Sequence, residues 1–225
     1  MSAAINGIHA FRPYEKSWDT IIKRVSHIRE KNDLSKKEKS VIMKQIIGLI
    51  DLTTLEGTDH TAVIGKLVET AVKTIGSEDF PPIPAVCVHP SQVKVAAGKI
   101  GDAAITLASV AGGFPSGQTF PEVKNLEVRR AVEEGADEID IVINRGLLLE
   151  GTYELVYNEI KEMKMAAGNA KLKVILETCE LPEVNHVREA TILSILAGAD
   201  FVKTSTGKGR EGAALPSFLV IADTI

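Results

Sequence analysis

A repeated pairing of glycine with a charged strand residue constrains this chain more than any other feature. Three times a helical pattern ends at glycine, and a charged residue follows five positions later within an apolar strand-like run. The pairs are Gly135 and Asp140, Gly168 and Lys173, and Gly198 and Lys203. Because glycine is favoured just beyond a helix C-terminus, each charged residue takes an equivalent place in successive helix–strand units. The repeat predicts parallel strands separated by helices.

Alternation along the strand around Asp140 predicts which face packs against the helices. Isoleucines share one face of this strand, and Asp140 lies on the other. In a barrel of parallel strands, the apolar face packs on an outer helical layer, and the strand ends build the active site. Asp140, Lys173 and Lys203 are therefore predicted to converge inside a barrel. The alternative, solvent-facing charges, would require edge-like strands in three consecutive units.

Six strand candidates and the helices between them can be placed along the chain. The strand candidates cover residues 46–51, ending at Asp51, then 85–89 and 104–110, and then the strands that carry Asp140, Lys173 and Lys203. Helical periodicity covers residues 121–134, 152–167 and 183–197. The predicted fold class is therefore α/β.

An amphipathic helix is predicted near the N-terminus. Its apolar face is formed by Trp18, Ile21, Ile22, Val25 and Ile28. A second helix starts at the capping-box pair Ser35 and Glu38 and runs into the first strand candidate. We therefore predict an N-terminal extension over residues 1–40 and a barrel domain over residues 41–225.

Composition and charge exclude several classes of function. The 225 residues are 44% hydrophobic and 25% charged, which is enough to bury a sizeable core. The net charge of −4 gives no basic face of the kind that nucleic acid requires. No stretch approaches the roughly 18 apolar residues of a membrane span, and the N-terminus lacks a secretory pattern. The sequence predicts a cytoplasmic protein with neither nucleic acid nor membrane as a partner.

Cysteine, histidine and glycine patterns give no metal or dinucleotide site. Cys87 and Cys179 lie in or just after strand-like runs and are predicted to be free thiols. The five histidines show no paired ligand spacing, so no metal is predicted. A G-x-G-x-x-G pattern begins at Gly207, but Asp223 follows it too closely, since the acid of a dinucleotide fingerprint stands about 20 residues on.

Lys203 is the strongest candidate for chemistry, because it ends a short apolar strand and precedes a loop of small residues. A lysine becomes a nucleophile only as a neutral amine, which burial or neighbouring cations favour. Lys173 and Lys208, if close, would lower the pKa of Lys203, whereas Asp140 would raise it. The sequence leaves open which effect is larger. For a lone lysine, a snorkelling surface side chain would be the better interpretation.

Four motifs together resemble the deoxyribose-phosphate aldolases, which are Schiff-base aldolases on a TIM (β/α)8-barrel fold. They are Asp51-Leu52-Thr53-Thr54-Leu55, Ala85-Val86-Cys87-Val88, Gly135-Ala136-Asp137-Glu138-Ile139-Asp140-Ile141-Val142 and Phe201-Val202-Lys203-Thr204-Ser205-Thr206-Gly207-Lys208. The resemblance implies reversible cleavage of 2-deoxy-D-ribose 5-phosphate to D-glyceraldehyde 3-phosphate and acetaldehyde in deoxyribonucleotide catabolism, without a metal or another cofactor. A transaldolase-like enzyme would not account for all four motifs.

The resemblance also implies catalytic roles. Lys203 would form the Schiff base, and Asp140 would carry out the proton transfers. Lys173 and Asp51 would support the hydrogen-bonded interior around them.

Substrate binding is implied for the loop after Lys203. Gly207 and Lys208 would bind the substrate phosphate, and Thr206 and Cys87 would lie near the site. The implied partners are a small phosphosugar and an aldehyde, and a homo-oligomer is left open.

The end of the chain departs from the family pattern. The family's second active-site lysine, in a Lys-Pro-Ala-Gly-Gly motif on the next strand, has no counterpart after Lys208. A complete barrel takes about 250 residues, and setting aside about 40 N-terminal residues leaves room here for about six βα units. We therefore expect a C-terminally truncated barrel. It is either an active aldolase or a catalytically impaired remnant that acts, if at all, as a binding partner.

Overall fold

The structure, a computed structural model, describes residues 13–32 and 34–225. Two helices come first, α1 (Trp18–Lys31) and α2 (Lys36–Ile47). The body then alternates strands with helices: β1 (Asp51–Thr53), α3 (Thr61–Val72), β2 (Ala85–Val88), α4 (Val93–Ile100), β3 (Thr106–Ala111), α5 (Pro121–Glu133), β4 (Glu138–Val142), α6 (Arg145–Leu149), α7 (Tyr153–Ala167), β5 (Lys171–Ile175), α8 (Val184–Leu196), β6 (Phe201–Lys203) and α9 (Leu215–Ala222). None of the helices in these residues is long and apolar enough to cross a membrane.

The strands of the described ranges form one parallel sheet of six, with each strand paired to the next in chain order. The register places Asp140 of β4 opposite Lys173 of β5, and Ile175 of β5 opposite Lys203 of β6. Helices pack on one face of this sheet, which is an open part of a TIM barrel. The predicted α/β fold class and the six strands are therefore confirmed.

Alternation along the strands separates a large outer core from a small inner cluster. Ile139, Ile141 and Ile143 are fully buried in the outer core with the helices. The inner cluster consists of Leu55, Cys87, Ala108 and Val110, with Phe114 packed against it. Burying each isoleucine stabilises the fold by about 1.5–3 kcal/mol, which fixes the outer face of β4. Asp140 is therefore directed to the inner face, as predicted.

Carboxylates just before two strands form hydrogen bonds that link neighbouring units of the sheet. Asp137 and Asp200 each stand two residues after a helix-ending glycine. Asp137 accepts the backbone N–H of Leu107 in β3 at 2.9 Å, and Asp200 accepts that of Leu172 in β5 at 2.8 Å. Each unit is therefore joined to the preceding strand at the same point of the repeat.

The first strand differs from its prediction. The sequence predicts a strand over residues 46–51 that ends at Asp51, whereas α2 continues to Ile47 and β1 begins at Asp51. The predicted capping box of Ser35 and Glu38 is present at the start of α2. At the other end, the helix is terminated by Gly48, whose N–H donates to helix carbonyls. A short apolar run fits a helix end as well as a strand, so periodicity could not separate them.

The N-terminal helix is present as predicted, with one correction to its apolar face. Ile21 and Val25 are buried, whereas Ile22 is 51% exposed and points away from the core. Ser17 caps the helix by accepting the N–H of Thr20. The proposed boundary between residues 1–40 and 41–225 falls inside α2 and stays a prediction.

Gly117 gives a test of the packing at the end of β4. Its φ is +68°, and an added Cβ would lie 2.8 Å from the carbonyl oxygens of both Val142 and Ile143. We expect Gly117→Ala to lower the free energy of unfolding by about 2 kcal/mol, from left-handed strain and the clash. Gly57→Ala is the matched control, because a Cβ there meets nothing within 4 Å. Urea unfolding measures both, and equal midpoints would contradict this packing.

Candidate active site

Charged side chains from four strands meet on the inner face of the sheet. This charge cluster consists of Asp51 of β1, Glu138 and Asp140 of β4, Lys173 of β5 and Lys203 of β6. Side chains two residues apart on a strand share a face, and the strand register places residues of neighbouring strands side by side. Because their outer faces are fixed by the apolar core, the strands turn these charges inward. The predicted convergence of Asp140, Lys173 and Lys203 is present.

Lys203 contacts the most deeply buried carboxylate of the cluster. Its Nζ donates a hydrogen bond to Oδ2 of Asp140, and lies 3.6 Å from Oδ2 of Asp51. Asp140 is only 1% exposed, whereas the Lys203 side chain is 33% exposed. The amine therefore sits at the boundary between a buried acid and open space.

Lys173 lies beneath Lys203 and binds three carboxylates. Its Nζ is 2.6 Å from Oδ2 of Asp51, 2.5 Å from Oε2 of Glu138 and 3.5 Å from Oδ1 of Asp140. Burial alone would lower the pKa of Lys173, but these carboxylates raise it well above its ordinary value. Lys173 is therefore a fixed cation.

The pKa of Lys203 answers the question that the sequence leaves open. Burial lowers this pKa, and the nearby Lys173 charge lowers it further. The charge of Asp140 and its hydrogen bond raise it by more, so the pKa of Lys203 is above the ordinary lysine value. The resting amine is protonated, and the adjacent Asp140 carboxylate is the group that holds it so.

One oxygen of Asp140, the buried Oδ1 atom, makes no direct hydrogen bond within the described residues. The Nζ of Lys173 approaches it only to 3.5 Å. A buried acceptor without a donor is costly, and the charge of Lys173, although beyond hydrogen-bond distance, offsets part of that cost.

A cavity of about 370 Å³ opens above Lys203 and Asp140. Its apolar wall is made by Leu55, Cys87, Val110 and Phe114. Residues 204–208 form a loop after β6, which we call the site loop, and its residues Thr204, Ser205, Thr206 and Gly207 also line the cavity. In the described part of the chain, no group of three or more His, Cys, Asp or Glu side chains is arranged to hold a metal ion.

The structure brings most of the sequence-predicted site residues to this cavity. Lys203, Asp140, Cys87, Thr206 and Gly207 line it, and Asp51 and Lys173 lie in the charge cluster. Burial raises the pKa of Cys87 to about 12, with a further contribution from Asp140, so this residue is a neutral thiol in the cavity wall.

Lys208 is placed differently from the other predicted residues. Its Nζ is 2.8 Å from Oε1 of Glu56, and its side chain does not line the cavity. Its backbone N–H donates to Oγ1 of Thr206 at 3.0 Å. The predicted contact of Lys208 with phosphate therefore stays a prediction.

Two acidic residues of this region are absent from the sequence prediction. Glu138 stands two residues before Asp140, so alternation along β4 could have placed it on the same inner face. Glu177 follows the end of β5 and is only 2% exposed. It lies in a turn, where no periodic pattern signals the direction of a side chain.

Lys173→Met tests whether the charge cluster depends on its central cation. Removing one partner of a buried ion pair leaves uncompensated charge, so we expect a loss of about 3 kcal/mol in the free energy of unfolding. Lys73→Met is the control, because that lysine is 76% exposed and 3.8 Å from Glu69, and such pairs contribute less than about 1 kcal/mol. Chemical denaturation measures both changes. Equal small losses would show that Lys173 is dispensable for the cluster.

Comparisons with known proteins agree with this geometry. The family model described as DeoC/LacD family aldolase matches residues 45–220. Human deoxyribose-phosphate aldolase is 38% identical over 216 residues, which cover 91% of this chain and 68% of the human protein. Deoxyribose-phosphate aldolase of Caldicellulosiruptor saccharolyticus is 41% identical over 185 residues, covering 81% of this chain and 80% of that protein.

Solved structures agree with the sequence comparison. The crystal structure of a putative deoxyribose-phosphate aldolase from Coccidioides immitis matches with a TM-score of 0.74 and 33% identity, covering 81% of this chain and 70% of that chain. The parallel strands, the inner charge cluster and the family match are thus consistent with one another. The chain belongs to the DeoC/LacD family of aldolases.

Proposed function

We propose that this chain is a Schiff-base aldolase that reversibly cleaves 2-deoxy-D-ribose 5-phosphate to D-glyceraldehyde 3-phosphate and acetaldehyde. The observation that carries the proposal is the Lys203 amine, which faces a cavity while hydrogen-bonded to the buried Asp140. An amine beside a carboxylate in a cavity can form an imine and exchange protons with the same substrate. The proposed setting is the cytoplasmic breakdown of deoxyribonucleotides.

Imine formation begins with a proton transfer, because the resting Lys203 carries a proton. Asp140 is the nearest acceptor for that proton. The neutral amine then attacks the C1 aldehyde carbon of the open-chain sugar. The resulting carbinolamine takes the proton back from Asp140 as it loses water, which gives a protonated imine. Lys173 stays charged nearby and stabilises the carboxylates of the cluster while protons move.

Carbon–carbon cleavage uses the imine as the electron sink. Loss of the C3 hydroxyl proton converts that carbon to an aldehyde, and the C2–C3 bond breaks with its electron pair moving toward the imine. The products at this point are glyceraldehyde 3-phosphate and an enamine on Lys203. Asp140 then returns the hydroxyl proton to C2, and water hydrolyses the resulting imine to release acetaldehyde and the free lysine. Asp140 is the proposed acceptor of the hydroxyl proton, directly or through a water, because it lines the cavity beside Lys203.

The site loop is the proposed binding place for the phosphate. Gly207 lines the cavity, and its backbone N–H donates no hydrogen bond to another described residue. Free backbone amides in a loop of small residues suit an anion. The partner of Lys208, Glu56, has a side chain that is 70% exposed, and an exposed ion pair contributes at most about 1 kcal/mol. Lys208 can therefore exchange this partner for the substrate phosphate at little cost.

Borohydride trapping with acetaldehyde tests the proposed amine. An imine on Lys203 is reduced by borohydride to a stable ethyl-lysine, which peptide mass analysis locates. We expect the adduct at Lys203 in the unchanged chain and its absence in Lys203→Ala. Lys171→Ala is the matched control, because that lysine on β5 is 59% exposed and outside the cavity, so its loss leaves trapping unchanged.

The same preparation is then assayed for cleavage of 2-deoxy-D-ribose 5-phosphate. An adduct at Lys203 together with cleavage supports the aldolase. A folded chain that forms no adduct at Lys203, or that labels its lysines evenly, contradicts the aldolase and favours the impaired remnant.

A further inference from the structure

Glu177 is a buried carboxylate to which the proposed reaction assigns no role. It lies just after β5, is 2% exposed, and makes no ion pair with any lysine, arginine or histidine within residues 13–32 and 34–225. A buried charge without a cation is expensive unless hydrogen bonds stabilise it. Its neighbours are therefore informative about what the residue does.

The hydrogen bonds of Glu177 connect it to the site loop. Its Oε2 accepts the backbone N–H of Thr206 at 3.2 Å and also accepts the Thr206 hydroxyl. Its Oε1 accepts the thiol of Cys179 at 3.5 Å. Oγ1 of Thr206 in turn accepts the N–H of Lys208 at 3.0 Å. One carboxylate thus fixes two amides of the loop, one directly and one through Thr206.

Backbone geometry shows how closely the loop and this carboxylate fit. Glu177 has a φ of +52°, and no other non-glycine residue in the described ranges has a positive φ. That conformation is unfavourable for a residue with a long side chain, so the surroundings must hold it. A Cβ added to Gly209 would lie 3.0 Å from both Cδ and Oε1 of Glu177. The chain just after the site loop therefore lies against the carboxylate.

The third amide of this stretch has no protein acceptor within the described residues. Thr206 and Lys208 have their N–H groups occupied, whereas Gly207 between them lines the cavity with an N–H that contacts no described acceptor. We propose that Glu177 is a positioning residue that holds the site loop with the Gly207 amide toward the cavity, and so sets the preference for phosphorylated over unphosphorylated substrates. This inference rests on the proposed function.

Glu177→Gln tests the inference with little change in shape. The amide has nearly the same size and the same unfavourable backbone, and its carbonyl oxygen can still accept from Thr206, but it carries no charge. We expect kcat/KM for 2-deoxy-D-ribose 5-phosphate to fall about tenfold, mainly through KM, because hydrogen bonds to a charged acceptor are replaced by weaker bonds to a neutral one. The value for unphosphorylated 2-deoxy-D-ribose should stay within about twofold, since that substrate makes no phosphate contact. Glu180→Gln is the matched control, because Glu180 is an exposed carboxylate three residues away that pairs with Arg145. This variant should leave both values unchanged.

Hydrogen exchange provides a readout that does not depend on activity. In Glu177→Gln, the amides of Thr206 and Lys208 should exchange faster, while the peptide that carries β4 should be unchanged. An equal loss for both sugars, or unchanged exchange in the site loop, would overturn the inference. If the unchanged chain neither traps acetaldehyde nor cleaves either sugar, the proposed function fails, and faster loop exchange still supports the positioning contact.

A second variant approaches the same contact from the loop. Gly209→Ala keeps Glu177 and its hydrogen-bond partners but crowds the carboxylate from above. We expect the same selective loss for the phosphorylated sugar, which decides the matter if Glu177→Gln does not fold. A Gly209→Ala chain with unchanged phosphate preference and unchanged loop exchange would contradict the inference.

Discussion

The buried carboxylate of Asp140, held between two lysine ammonium groups, is the interaction on which the rest of the site depends. Taking an ionised carboxylate out of water costs several kcal/mol unless partners with good geometry compensate it. Here the compensation comes from Lys203 on one side and Lys173 on the other. Because those lysines come from β5 and β6, the charges are stable only when three strands are in register. Folding of the sheet and assembly of the proposed chemistry are thus one process.

This arrangement has a consequence for how an amine of this kind would work. Burial and Lys173 favour the neutral amine, but the contact with Asp140 outweighs them and keeps Lys203 charged at rest. The proton that must leave Lys203 is already hydrogen-bonded to the group proposed to receive it. In such an arrangement, the transfer of one proton along an existing hydrogen bond produces the neutral amine. A large decrease in the pKa of Lys203 is not needed. Lys173 remains charged throughout, and its ammonium group favours the ionised form of Asp140 whenever that carboxylate gives its proton away.

Much of this could be predicted from the sequence, because the repeat of glycine and charged residue encodes both periodicity and register. The spacing from Gly135, Gly168 and Gly198 predicts the strands, the parallel order and the convergence of the charges. The predicted start of β1 was wrong, because the apolar residues at the end of α2 fit a helix pattern and a strand pattern equally well. The inward direction of Glu138 could have been predicted, because it stands two residues before Asp140 on the same strand. The direction of Glu177 could not, because it is set by a left-handed turn and by contacts with a distant loop. The pKa of Lys203 depends on distances between strands, which no spacing along the chain supplies.

The most direct test of this account is the pKa of the Lys203 amine in the ligand-free chain. It can be measured by NMR titration of the lysine Cε and Nζ resonances, with the signal assigned by its loss in Lys203→Arg. The account predicts a midpoint above the ordinary lysine value of about 10.4, and a lower midpoint in Asp140→Asn, where the largest effect opposing burial and Lys173 is removed. A midpoint near neutral pH in the unchanged chain, or one that Asp140→Asn does not lower, would contradict the claim that Asp140 holds the resting amine in its charged form.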